Sequence, residues 1–474
     1  MANLTSITAA LPFVGSKATP HLIPALPPLQ AVFPYLVALI PVHLLLVRLF
    51  RYHTVRRLYR NHPFSSRPNA LQRQIAELPL SAAHDIVRKI SGTEFVYMFN
   101  LGLQFALIRT YAIPSISHLL VATAQLSNRQ INTVGKRYAD TTALVYEIYH
   151  NLPGTTRSSS AFARLNYLHG HYLRQGKISN DDMLYTLSLF MNSPPEWIAR
   201  LEWRELTELE LAGQGLYHRF MGEAMDISYA ALDDIRPAPL PGMDAAAAEQ
   251  RNWRDDGLAF YSALDQWSKA YEARVMLPHE DNYKTAVRTL ELLNSVYPRF
   301  MHGVISKAFV ALMDERMRIA CMFPPSPPSY KQFFEGAFKV RAWLIRHLFL
   351  PRRSLWGWWV PEDERGLVTE YTSTDGRRWF TMYDALPHYV KPTLWNRWGP
   401  SGWLSLAMGV PRPGDDEMYG EGWKVDEIGP ERFAKKGQKE FEVTRKSLEG
   451  RVETERGVYG GDASVGGCPF FVKI

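Results

Sequence analysis

Seventeen consecutive residues without a formal charge, AVFPYLVALIPVHLLLV at positions 31–47, form a markedly apolar stretch near the start of the chain. This is at the short end of the roughly 17–25 residues that a membrane-spanning helix needs. Pro34, Pro41 and His43 interrupt the run, although proline is tolerated in membrane helices. A cleaved signal peptide fits less well, because no basic segment precedes the run and the apolar stretch begins late. The pattern predicts one transmembrane helix over 31–50, with a buried core helix as the alternative.

Past residue 75 the apolar positions recur with helical period. Residues 103–126 read as a helix interrupted at Pro114. Residues 131–150 repeat apolar side chains at Val134, Tyr138, Val145, Ile148 and Tyr149. GTTRSSS, residues 154–160, reads as a loop, and 160–174 as the next helix, closed by Gly176. Ser179 with Asp182 three residues on starts another helix, which the pattern ends before Pro194-Pro195. Further helical runs cover 196–225, 256–275, 283–320 and 331–349. GLVTEYTSTDGRRWFTMYD, residues 366–384, alternates with period two and predicts one small hairpin. Beyond residue 350 the chain turns to tryptophan, proline and glycine, which reads as irregular structure wrapped around a helical core. The alternative places Trp395, Trp398 and Trp403 at a membrane interface. The expected organisation is all-α: an N-terminal segment 1–30, the membrane helix 31–50, a basic linker 51–90, a helical catalytic domain 91–420 and a polar tail 421–474.

Composition narrows the function classes. With 474 residues and 46% apolar content the chain can bury a substantial core. Its two cysteines, Cys321 and Cys468, exclude a disulfide framework and thiolate-rich metal sites. The net charge of +7 is local. Lys17, Arg48, Arg51, Arg56, Arg57 and Arg60 are unopposed by any acid in residues 1–60, whereas the rest of the chain holds 48 cations against 47 acids. Nucleic acid is therefore disfavoured as a partner. The five arginines after the apolar run place that flank in the cytosol and the short N-terminus in the lumen. Asn3-Leu4-Thr5, a glycosylation sequon, lies on the predicted lumenal side. No H-E-x-x-H, G-x-G-x-x-G or P-loop run is present, and neither cysteine has the setting of a thiolate haem ligand.

The chemistry-bearing residues cluster in two helices. In NYLHGHYLRQGKISNDDM, residues 166–183, His169 lies seven after Phe162, four after Leu165 and three before Tyr172, on the apolar face. His171 falls on the flank with Arg164 and Arg174. Residues two apart on a helix point about 200° apart, so the pair cannot clamp one ion. Arg137 and Thr141 share a face at i and i+4 with Leu144, Val145 and Ile148. An arginine in an apolar stripe needs a partner, since burying its charge alone is costly; an ion pair with Asp181 or Asp182 would serve. A core role for each histidine remains open on the residues alone.

LQFALIRTYAIPSISHLL, KRYADTTALVYEIY, ARLNYLHGHYLRQGKISNDDMLYTLSLF, EWRELTELELAG and YVKPTLWNRWGP, taken in order between about residues 95 and 415, resemble the fungal endoplasmic-reticulum-bound oxygenases of the mycophenolic acid type. These in turn are distantly similar to the bacterial rubber oxygenase, latex clearing protein. The resemblance implies a globin-like helical domain holding a b-type haem. It also implies dioxygen-dependent cleavage of a carbon–carbon double bond in an apolar isoprenoid or prenylated molecule, at the endoplasmic reticulum membrane with the catalytic domain in the cytosol. It makes His169 the axial ligand of the haem iron, with Arg164 in the cofactor setting and His171 as the fallback ligand. Arg137 and Thr141 become the catalytic residues of the distal side. Two departures stand out. Asp140 occupies the position of the rubber oxygenase's distal lysine, and no carboxylate lies between Arg109 and Asp140, which leaves Gln125 as the nearest polar residue. The competing expectation is a non-catalytic anchored haem-binding or scaffold protein of a biosynthetic complex.

Overall fold

The apolar run near the N-terminus folds as one continuous helix, α1 (Leu29–Phe50), which Pro34 and Pro41 do not break. The structure is a computed structural model that describes residues 29–61, 70–123, 131–239, 243, 245–295, 297–351, 366–368, 388–409, 411–415 and 421–458. From Ala38 to Phe50 the side chains of α1 are exposed except Val47. One helix that begins in this region is long and apolar enough to cross a membrane. Asn3 and Gln125 lie outside the described residues.

Among the described residues the chain is all-α, without a strand. The expected linker carries α2 (His53–Asn61), α3 (Ala70–Ala76) and α4 (Leu80–Lys89). α4 buries Ala83, His84, Ile86 and Val87, so the later part of that linker belongs to the core. Next come α5 (Val96–Thr110) and α6 (Pro114–Ala122), bent by 85° at the break before Pro114. α7 (Ile131–His150) matches its periodic pattern, and α8 (Thr156–Leu173) starts within the expected loop because the Thr155 hydroxyl caps it. α9 (Asn180–Leu201) starts at the expected Ser179 cap.

The expected stop before Pro194-Pro195 is overturned, since α9 runs through both prolines. An interior proline costs a helix about 3 kcal/mol. Here α5 packs along α9 so closely that a Cβ at Gly102 would lie 2.7 Å from Pro194 Cα. The dense contact offsets the missing hydrogen bonds. The run expected over 196–225 breaks instead at 202–207, and α10 (Glu208–Ala224) restarts from a capping box of Thr207 and Glu210.

After α11 (Ala245–Gln250) and α12 (Gly257–Val275), the run expected over 283–320 divides into α13 (Glu280–Asn294), α14 (His302–Leu312) and α15 (Glu315–Ala320). Asp314 caps the last of these. α16 (Pro328–His347) follows, then the short α17 (Leu394–Trp398) and α18 (Pro400–Met408). Trp395, Trp398 and Trp403 are 68%, 49% and 58% exposed, so they are not packed under the wrap. Of the expected hairpin only residues 366–368 are described; Val368 pairs with Trp423 in an isolated bridge. The tail is more ordered than its composition suggests. Trp423, Val425 and Ile428 are buried, and α19 (Gln438–Val458) packs along α8 and buries Phe441 and Leu448. The finer expectation of a globin-like arrangement rests on the resemblance alone.

Two core histidines show what a satisfied imidazole looks like here. His84 Nε2 donates to the Tyr149 carbonyl at 3.0 Å. His218 Nδ1 donates to the Gln214 carbonyl at 2.8 Å, and its Nε2 accepts from the Tyr149 hydroxyl at 2.7 Å. Burial pushes both down from 6.5 to about 4, with the Arg88 charge assisting at His84. The unfolded chain therefore takes up protons between pH 6.5 and 4 that the folded chain does not, and stability falls as pH falls. Denaturant unfolding of the full-length protein in detergent should lose on the order of 2 kcal/mol per histidine between pH 7 and pH 5. A flat profile over that interval contradicts the burial argument.

Candidate active site

Apolar faces of six helices meet around a cavity of about 290 Å³, close to the lower bound of the roughly 300–1,000 Å³ typical of small-molecule sites. α5 and α6 contribute Leu107 and Ile116, Tyr111 comes from the break between them, and α9 contributes Met183 and Phe190. Met221 comes from α10, while Pro430 and Phe433 close one side from the C-terminal segment. α7 and α8 bring the polar groups, and both do so through simple helical spacing.

On α7, Arg137 and Thr141 face the cavity as their i, i+4 spacing requires. Arg137 Nη1 donates to Thr141 Oγ1 at 2.8 Å, and that hydroxyl donates back to the Arg137 carbonyl at 2.9 Å. The Thr141 proton is thus committed to its own helix, so Thr141 orients the guanidinium, and among the described residues the other Arg137 donors meet no partner. The expected ion pair is not made. Asp182 accepts hydrogen bonds from Ser115 at 2.7 Å, Ser179 at 2.7 Å and Tyr271 at 3.0 Å, and Asp181 lies 3.8 Å from Arg274.

On α8, His169 also faces the cavity. Among the described residues its buried Nδ1 has no hydrogen-bond partner, unlike the ring nitrogens of His84 and His218. Burial, and then the Arg137 charge, push it down to about 4, so the imidazole is neutral with a lone pair available at physiological pH. His171 points the other way, to the exposed surface, where its Nε2 accepts from the Gln175 amide at 3.0 Å. In the turn that follows α8, Gly176 (φ 64°) has a left-handed backbone that lets Lys177 N reach the Tyr172 carbonyl at 3.0 Å.

Arg164 and Asp140 are placed elsewhere. Arg164, 1% exposed, donates to the carbonyls of Ile428 at 2.7 Å, Phe433 at 3.1 Å and Lys436 at 3.5 Å. It does not line the cavity; it ties the C-terminal segment to α8. Asp140 also turns away, pairing with Lys136 at 2.8 Å and accepting from the Tyr389 hydroxyl.

The sequence reading missed two contributors. Asp182, read as part of a helix cap and as an ion-pair partner for Arg137 but not as a residue of the site, is among the described residues the carboxylate on the cavity wall. Phe433 sits in a charged, glycine-rich stretch whose composition carried no signal for the site.

The donor set bears on what the cavity can hold. Among the described residues no three His, Cys, Asp or Glu side chains converge. A neutral, unpartnered imidazole on an apolar wall, with a cationic donor on the neighbouring helix, fits a metal complex that brings its own equatorial ligands, such as an iron porphyrin.

The chain matches no family model. It is 33% identical over 417 residues to the ER-bound oxygenase mpaB' of Penicillium brevicompactum, covering 88% of this chain and 92% of that protein. It is 32% identical over 371 residues to the ER-bound oxygenase mpaB of the same organism, covering 78% and 81%. It is 34% identical over 291 residues to the ER-bound oxygenase mpaB of Penicillium roqueforti (strain FM164), covering 61% and 90%.

Proposed function

The chain belongs to the family of ER-bound oxygenases named mpaB, and from that premise we propose that it cleaves a carbon–carbon double bond of an isoprenoid or prenylated secondary metabolite with dioxygen at a b-type haem. Oxygenase activity in secondary metabolism and attachment to the endoplasmic reticulum membrane follow from the family itself. The haem, the cleavage and the substrate class are the proposal.

One observation carries it: His169 faces an apolar cavity with Nδ1 buried and unpartnered, and on the helix beside it Arg137 has no carboxylate partner among the described residues. His169 would hold the iron, and the bound porphyrin would supply dioxygen binding and activation. The residues of this chain do the rest. Arg137 presents donors to the space where negative charge develops as dioxygen is consumed, and in an apolar cavity such donors are worth more than in water. Thr141 fixes the direction of those donors. The aliphatic and aromatic walls exclude water and accept a prenyl chain. Asp182 already accepts three hydrogen bonds, which hold its carboxylate in place at the wall.

Breaking the C=C bond and forming one C=O bond on each fragment consumes both atoms of one dioxygen, and the electrons balance without a reductant. α1 is taken as a single span, with the N-terminus lumenal and the body in the cytosol, because the arginines follow the apolar run. A prenylated substrate partitions into the bilayer, and a tethered domain can collect it there.

The test is turnover of a prenylated aromatic compound under ¹⁸O-labelled dioxygen, with the carbonyl products reduced at once to prevent exchange with water. One label in each fragment is expected. A label in only one fragment would make the enzyme a monooxygenase, and haem-replete protein without turnover would favour the anchored haem carrier. Removing residues 1–50 should lower turnover of membrane-embedded substrate; unchanged turnover counts against the role given to the anchor.

A further inference from the structure

The end of α16 is bound to the anchor in a way that water does not require. A helix C-terminus leaves its last carbonyls without partners inside the helix, and at a soluble surface water satisfies them. Here His43 Nε2 donates to the Leu348 carbonyl at 2.7 Å, and the Arg51 guanidinium donates to the Phe349 carbonyl. Both donors come from α1 and the residue after it. His43, Val47 and Arg51 form one stripe at i, i+4 and i+8, and Val47 is the buried residue of the otherwise exposed stretch Ala38–Phe50. His43 is an awkward residue within an apolar run, and its place there is explained by the carbonyl it satisfies where water is scarce.

Depth follows from the same contacts. Arg48 and Arg51 are the first cations after the apolar run, so in a spanning helix they mark the headgroup level. At 1.5 Å per residue His43 lies about 7.5 Å further in than Arg48. That is within the roughly 5–10 Å at which interfacial helices bury their apolar faces. The side chains around the two capped carbonyls suit that layer. Trp343 is 56% exposed, Phe349 59% and Leu350 39%. They lie beside Arg346 and His347, and the sequence continues to Arg352 and Arg353. Large exposed aromatics flanked by cations are the signature of a lipid interface, and in a soluble domain they are a liability.

We propose that the C-terminal end of α16, through Trp343, Phe349 and Leu350, is a second membrane-contacting element, seated in the interfacial layer of the leaflet that α1 leaves on the cytosolic side. The inference rests on the reading of α1 as the membrane span. The occupant is the lipid bilayer. Two points of contact, one spanning and one lying in the surface, restrict how the catalytic body tilts relative to the membrane.

The test uses full-length protein carrying Cys468→Ser, with the buried Cys321 retained. Single cysteines are introduced as Phe349→Cys, Leu45→Cys or Phe333→Cys and labelled with an environment-sensitive fluorophore. The labelled proteins are reconstituted in phosphatidylcholine vesicles containing nitroxide-bearing lipids. Phe333 is 69% exposed near the opposite end of α16, about 24 Å along the helix from Phe349, and serves as the solvent reference. Phe349→Cys should be quenched several-fold more than Phe333→Cys, approaching Leu45→Cys. Quenching at Leu45→Cys with none at Phe349→Cys overturns the proposal and leaves the anchor in place, including the case in which a second copy covers Phe349. Quenching at neither overturns the anchor and the proposal with it.

Discussion

Replacing His169 with alanine is expected to remove the Soret absorption of the purified protein and to lower turnover by at least ~10²–10³-fold, the range found when one group at a reacting centre is deleted. His171→Ala should leave both unchanged, because that ring sits on the exposed flank beside Gln175. Loss of folding would be the obvious confounder, and the geometry argues against it. His169 Nδ1 makes no hydrogen bond among the described residues, and the ring borders an existing cavity rather than filling a core position. Its truncation therefore leaves no buried partner behind, and the penalty that usually follows loss of a buried polar group does not arise. Cofactor-free His169→Ala should be as stable as cofactor-free wild type to within about 1 kcal/mol. Two results would count against the assignment: a Soret band that persists in His169→Ala, or well-folded wild type that never binds haem.

Arg164→Ala should fail in the opposite manner, losing about 3–5 kcal/mol of stability first and function only as a consequence. Hydrogen bonds to a charged group contribute ~1.5–3 kcal/mol each, and Arg164 makes two good ones, to Ile428 and Phe433, with a longer one to Lys436. Alanine strands those carbonyls beside a side-chain-sized void in a position only 1% exposed. The first segment to detach should be 423–437, which carries Pro430 and Phe433 of the cavity wall. Hydrogen exchange measured peptide by peptide should show early loss of protection across 423–437 and α19, with α5 and α9 still protected. If Arg164 instead contacts the cofactor directly, cofactor loss should occur with protection of 423–437 unchanged.

Much of the fold was legible because helical period is a local property. α7 and α12 match their expected ranges to within a residue, and Ser179 marks the start of α9 through a bond three residues away. The two prolines in α9 misled for a physical reason. Their cost is local, but what offsets it is the approach of α5 at Gly102, 92 residues earlier in the chain. The tail misled likewise, since Arg164 and the Val368–Trp423 bridge order it from a distance.

For the site, the sequence determined direction. The 3.6-residue repeat alone separates His169 from His171 and puts Arg137 above Thr141. Only the tertiary structure decided partnership: that Asp182 serves Ser115 and Tyr271 rather than Arg137, that Arg164 holds the chain's own backbone, and that His43 and Arg51 cap α16. The reason is geometric. Which face a side chain occupies follows from residues a turn away, whereas which atom meets its donor depends on segments tens to hundreds of residues apart packing together, and no local pattern encodes that meeting.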